Sequence, residues 1–88
     1  LAPFAGWRDK RFWLKRATDV VCRAQPALKD RFQTLFNMTL LGNAFLARLE
    51  ASGRFDVVPF PRRGRAAVLE ISPGNKNAEM YLQLAGVA

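Results

Sequence analysis

The chain has 88 residues, half of them hydrophobic, which predicts one globular domain with a modest core and excludes a disordered basic tail. Fourteen Lys and Arg against seven Asp and Glu give a net charge of +7, which favours an anionic partner: nucleic acid first, an acidic membrane or protein second. The absence of histidine and the presence of one cysteine exclude an internal disulfide, a zinc site with the usual nitrogen and sulfur ligands, and a nucleophile activated by histidine.

The first predicted helix runs from Arg8 to Ala24 and is amphipathic. Phe12 and Trp13 are expected in the core, because the later segments can cover them, although a basic amphipathic helix with tryptophan is also typical of a membrane surface. Cys22 lies on the apolar side and is predicted to be a small buried residue. The apolar face consists of Phe12, Trp13, Ala17, Val20, Val21 and Ala24, and most of the other face is filled by Lys10, Arg11, Lys15, Arg16 and Arg23.

A second helix is predicted from about Ala27 to Phe36, because Pro26 suits a first helical turn and an apolar stripe follows it. The next segment, "NMT", is predicted to be a turn, since Asn37 and Thr39 are both good N-caps.

A third helix is predicted from Leu40 to about Ser52, where Gly53 ends it as a C-terminal glycine. The alternative is one continuous helix from Ala27 to Ser52 with Gly42 inside it, because neither Pro nor Gly stands in the "NMT" segment. The inward face of the third helix is predicted to hold Leu41, Ala44, Phe45 and Leu49.

The segments "RFDVVPF" and "AAVLEIS", on either side of "PRRGR", predict two strands joined by a turn. Pro59 and Pro61 keep the first strand short or at an edge, because each lacks the donor that a central strand needs. After "SPGN", Asn75 or Asn77 is expected to cap a short closing helix. Its inward residues are predicted to be Ala78, Tyr81, Leu82 and Ala85.

This order of elements is that of a winged helix-turn-helix domain, and residues 39–74 resemble the DNA-binding half of the multiple-antibiotic-resistance regulator (MarR) family. "RLEASG" stands where that family ends its recognition helix, "RRGR" at the tip of its wing, and "LEISPG" where the second wing strand closes. The resemblance covers about two-fifths of the chain. It implies an α+β winged helix-turn-helix fold, with three helices followed by a two-stranded β-hairpin wing and a short C-terminal helix.

The resemblance implies that Arg62, Arg63 and Arg65 lie on the wing and contact phosphates or the minor groove of DNA; the alternative is a turn with solvated arginines. On the third helix, Thr39 and Asn43 are candidates for DNA contact, since the Asn43 amide is of the kind that reads adenine. Further candidates for backbone contact are Arg48 on the third helix and Lys10, Arg11 and Lys15 on the first.

We therefore expect a cytoplasmic protein, with no membrane partner, that binds double-stranded DNA as part of a transcriptional or replication regulator, with a homodimer or a companion domain supplying specificity. The alternative is a protein-interaction module in which Leu40 and Leu46 pack against a partner chain and the charge only keeps the protein soluble. The acidic residues form no close pair, so no enzyme activity, metal or cofactor is expected. The chain begins at Leu1 rather than Met, which favours a single domain excised from a longer protein.

Overall fold

The computed structural model describes residues 6–58 and 62–87, in which the chain forms four α-helices, two 3-10 helices and one pair of very short strands. The described chain is therefore α+β and mostly helical, which confirms the fold class at that coarser level. The α-helices are α1 (Trp7–Ala24), α2 (Lys29–Asn37), α3 (Thr39–Ser52) and α4 (Lys76–Ala85). The strands are β1 (Phe55–Asp56) and β2 (Ala66–Ala67), and the 3-10 helices cover Pro26–Leu28 and Val68–Glu70.

α1 has nearly the predicted bounds, but its buried face is rotated from the predicted one. Ala17 and Val21 are buried as predicted, whereas Val20 is only half-buried and Ala24 is exposed. Phe12 was expected in the core and is 59% exposed, so that prediction was wrong. Trp13 and Cys22 are only partly buried against the core. The reason is that Trp7 and Leu14 are buried against the other helices. Their burial sets the rotation of α1 about its axis and leaves Phe12 on the solvent side. The buried residues of α1 are Trp7, Leu14, Ala17, Thr18 and Val21.

Met38 alone separates α2 from α3, with φ −116° and ψ 112°, so the alternative of one continuous helix was wrong. Met38 also occupies the N-cap position of α3 without a side-chain cap, so neither Asn37 nor Thr39 acts as the predicted N-cap. At its other end α3 stops at Gly53, as predicted, in the left-handed region with φ 67°, which glycine adopts without strain.

α3 is rotated relative to the prediction because Trp7 packs directly on its backbone at Gly42. A Cβ built at Gly42 would lie 1.9 Å from Cε2 of Trp7, so only glycine permits this approach. As a result Leu41, 42% exposed, and Ala44 face solvent although both were expected inside. Leu46, considered for contact with a partner, is buried in the core. The buried residues of α3 are Gly42, Phe45, Leu46 and Leu49.

The predicted hairpin was wrong, because β1 and β2 run parallel. Phe55 lies opposite Ala66 and Asp56 opposite Ala67, and the Ala66 amide donates to the carbonyl of Arg54 at 3.1 Å. A tight turn is present at "RRGR", where the Arg65 amide donates to the Arg62 carbonyl at 3.1 Å. It precedes β2 but does not join two antiparallel strands.

The predicted strand "AAVLEIS" is likewise strand only at its first two residues and continues as a 3-10 helix. The expectations for Pro59 and Pro61 lie outside the described residues.

α4 closes the core as predicted. The Asn75 side chain accepts a hydrogen bond from the amide of Ala78 at 2.8 Å and so caps the helix. Tyr81 is fully buried; its hydroxyl donates to the Leu14 carbonyl at 3.1 Å and lies 2.7 Å from the Thr18 hydroxyl. Burial raises the pKa of Tyr81 far above its usual value, so the phenol stays neutral and joins α4 to α1. The inward residues Ala78, Tyr81, Leu82 and Ala85 are all buried.

Candidate nucleic-acid interface

The arginines of the turn at residues 62–65 surround a buried carboxylate, that of Asp56, which is 4% exposed. Its oxygens accept from the backbone amide of Arg62 and from the Arg62 guanidinium, with Nη2 at 2.9 Å and Nε at 3.2 Å. Arg65 adds a weaker contact at 3.4 Å. The hydrogen bond from the Arg62 side chain is the main cause that holds the pKa of Asp56 below its usual value. The turn therefore has an intramolecular counter-charge.

Sequence reasoning missed this contact, although an acid in the middle of the apolar "RFDVV" segment is a signal for a buried partner. Two of the three arginines at the turn thus have a structural role. The Arg62 side chain nevertheless remains 72% exposed. Arg63 is exposed, and within residues 6–58 and 62–87 no ion pair joins it to an acidic side chain. Arg62 and Arg63 are therefore the outward cations of the turn.

Two further predicted backbone contacts have partners within the chain. Arg48 donates from Nε to the carbonyl of Leu84 in the last turn of α4, at 2.6 Å, where a cation also complements the helix dipole. Lys10 forms an ion pair with Glu50 of α3 at 2.7 Å. Both basic side chains therefore connect two helices, and each already has a hydrogen-bond or ion-pair partner within the chain.

The exposed face of α3 is mostly apolar. Thr39 and Asn43, the candidates for base contact, are exposed on it, and so is Leu40, at 82%. The charges that this helix carries, on Arg48 and Glu50, are both engaged within the chain. Few polar groups on this face are available to read base edges.

The solvent face of α1 carries the largest group of exposed cations on one element. They lie within less than half of the helix circumference and extend over most of an 18-residue helix, about 27 Å at 1.5 Å per residue. Within the described ranges none of them forms an ion pair with an acid, although Asp9 and Asp19 lie exposed on the same helix. Arg11 and Lys15, predicted as backbone contacts, belong to this group. Its members, called the basic face, are Arg8, Arg11, Lys15, Arg16 and Arg23.

A groove of about 640 Å³ lies between α1 and α2, beside the basic face. Lys15 and Arg23 reach its edge from α1, Lys29 from α2, and partly buried Cys22 lines its wall. Burial raises the pKa of the Cys22 thiol, so the thiol is mainly protonated at neutral pH. No cluster of His, Cys, Asp or Glu among the residues described is arranged to hold a metal ion.

Comparison with known proteins finds no family model, no curated protein and no solved structure that matches the chain. The likeness of residues 39–74 to the MarR family thus stays a prediction from short sequence phrases. The parallel strands remove the hairpin on which the expected wing depended. The exposed charges of the chain itself are then the main indication of its function.

Proposed function

We propose that the protein binds double-stranded DNA and does so chiefly by contacting phosphates through the basic face of α1. The observation that carries the proposal is that the five cations of this face are exposed, lie on one rigid helix and have no acidic partner in an ion pair within the described ranges. Five cations against the one exposed acid within the arc that they span, Asp19, leave this face strongly positive, so it attracts an anionic polymer that spans the helix and releases its own counterions on binding.

In this proposal the turn at residues 62–65 contributes through its two outward cations. Arg62 is already oriented by Asp56, which lowers the entropy it loses on meeting a phosphate. Arg63 forms no ion pair within the described residues, so its charge is available to a phosphate. Thr39 and Asn43 are the candidates for base contact, and a role in transcription or replication rests on such contacts.

The test compares two triple variants of equal net charge. In one, Arg8, Arg11 and Lys15 of the basic face become Gln; in the other, the exposed cations Arg31, Arg54 and Lys76, which lie outside the basic face and the groove beside it, become Gln. Glutamine has nearly the helix propensity of lysine and arginine but carries no charge. Affinity for a fluorescent duplex is measured by anisotropy at low salt. We expect a much larger loss from the basic-face variant, whereas equal losses from both would show that net charge alone attracts DNA.

A second candidate function, docking of another protein chain, is favoured by the exposed apolar residues of α3. Leu40, Ala44, Ala47 and Ala51 are all exposed, and they recur at intervals of four, three and four residues, the spacing of a helix-packing seam. That spacing reads the same in both directions. A two-fold antiparallel pair of α3 helices therefore sets Leu40 of one copy on Ala51 of the other and Ala44 on Ala47, so the large side chain meets a small one.

A second copy of this chain is the occupant that we assign to the apolar stripe of α3. Two chains of charge +7 repel each other, and this repulsion is weakest when they meet through surfaces without charge and salt screens the rest; the stripe itself contains no charged residue. Sedimentation of the native chain is expected to show a concentration-dependent dimer that Leu40→Asp abolishes and that the matched control Leu69→Asp, also at an exposed leucine, retains. A monomer at all concentrations, or equal effects of the two variants, would remove this candidate.

A further inference from the structure

Phe12 is a large hydrophobic residue that stands exposed in the middle of the basic face. Its relative exposure is 59%. The guanidinium carbon of Arg16 lies 5.5 Å from the centroid of its ring, and the Trp13 ring meets it edge-on at 5.7 Å. Arg16 also lies 6.0 Å from the Trp13 ring centroid. These three residues, Phe12, Trp13 and Arg16, are called the aromatic–arginine cluster.

The cations of α1 surround the Phe12 ring on the helix surface. Arg8 precedes it by four residues, and Lys15 and Arg16 follow it by three and four, the separations at which helical side chains are neighbours. Cations of this kind bind phosphates, but a phosphate does not stack on an aromatic ring. A nucleobase does stack, because every base has a flat face that packs on an aromatic side chain or on a guanidinium.

We propose that the aromatic–arginine cluster stacks on an unpaired nucleobase, so that the basic face binds DNA more tightly where a duplex adjoins a single strand. The bases of an intact duplex are stacked on one another inside the helix and do not reach Phe12, whereas an unpaired base does. This inference rests on the proposed function, because the cations of the basic face hold the backbone on either side of the stacked base.

A membrane surface is the other partner for a basic helix with exposed aromatics, and the packing of α1 argues against it. An interfacial helix needs a continuous apolar face to place in the lipid. The continuous apolar face of α1 is already in the core, where Trp7, Leu14 and Val21 are no more than 3% exposed. Only a single large side chain, Phe12, stands well exposed among the cations, which suits one stacked ring and not a bilayer.

The experiment uses the full chain and two labelled DNAs of the same duplex length, one blunt and one with a short single-stranded overhang. The native protein is expected to bind the overhang DNA between about 5-fold and 150-fold more tightly, the range that stacking of one base contributes. The variant Phe12→Leu keeps an apolar side chain without a ring and should lose this preference while keeping its affinity for blunt duplex. Phe12→Trp should retain the preference. Because Phe12 is exposed, all three proteins are expected to fold.

A 2-aminopurine placed in the overhang reports stacking directly, since its fluorescence falls when an aromatic ring covers it. Quenching by the native chain and not by Phe12→Leu supports the inference. The inference is overturned if the native chain binds both DNAs equally or if Phe12→Leu keeps the preference. It is also overturned if the native chain binds anionic vesicles and Phe12→Leu loses that binding instead of the DNA preference, because Phe12 would then contact lipid. Equal binding to both DNAs leaves the proposed function standing, whereas failure to bind either DNA overturns both proposals.

Discussion

Replacing Asp56 by alanine tests the account of the arginine turn. The carboxylate is buried and accepts the backbone amide of Arg62, two side-chain donors of Arg62 and one of Arg65. The released guanidinium of Arg62 reaches water, so most of the cost falls on the amide that loses its acceptor. Such a loss costs about 1–3 kcal/mol in the free energy of unfolding. Asp56→Asn keeps an acceptor for the amide and should cost less.

Urea denaturation followed by far-ultraviolet circular dichroism measures these differences. Arg63→Ala is the matched control, since it removes an arginine of the same turn that has no acidic partner among the described residues. Its effect is expected to stay within about 0.5 kcal/mol, as for an ordinary surface substitution. The reasoning is refuted if Asp56→Ala unfolds with the same free energy as the native chain, or if Arg63→Ala is equally destabilising.

Three further predictions concern stability. Because contacts lower the pKa of folded Asp56, its stabilisation is complete above the unfolded value near 3.9 and is lost as the pH falls through the folded pKa. The difference in unfolding free energy between the native chain and Asp56→Asn should therefore shrink as the pH falls below about 4, and a constant difference would contradict the assignment. Gly42→Ala drives a Cβ into Trp7 and should lower stability by about 1–3 kcal/mol, less the gain in helix propensity, with a shift in tryptophan emission; an unchanged melting temperature and spectrum would disprove the contact. Tyr81→Phe leaves the buried Thr18 hydroxyl without its partner and should cost about 1–2 kcal/mol by thermal unfolding, whereas a neutral result would mean that the hydroxyl pair is not stabilising.

The helices were largely predictable because local signals mark their ends. Gly53 ends α3, Asn75 caps α4, and the stripe from Ala78 to Ala85 packs inward as its spacing indicates. Helix faces were harder to predict, since a contact between distant residues decides them. No pattern within α3 shows that Trp7 will lie against Gly42, and that contact buries Leu46.

The candidate site was predicted in part, for the same reason. Sequence reasoning placed many cations on the outside of the first helix, and the basic face of α1 is indeed exposed. It did not distinguish free cations from paired ones, because Lys10 finds Glu50 and Arg48 finds Leu84 far along the chain. The parallel pairing of the strands was not predicted either. The backbone amide and the side chain of Arg62 bind Asp56, and this contact brings β2 alongside β1.

The salt dependence of duplex binding by the native chain is the most direct test of phosphate contact through the basic face. One phosphate contact for each of the five cations of the basic face predicts that log K falls against log salt with a slope of about −4.5 between about 50 and 200 mM, and contacts by Arg62 and Arg63 would steepen it to about −6.3. We expect a slope of this size for the native chain, and a slope shallower by about 2.7 when Arg8, Arg11 and Lys15 become Gln. No binding to duplex DNA at low salt, or an affinity independent of salt, would contradict it and leave the charge of +7 as a means of solubility.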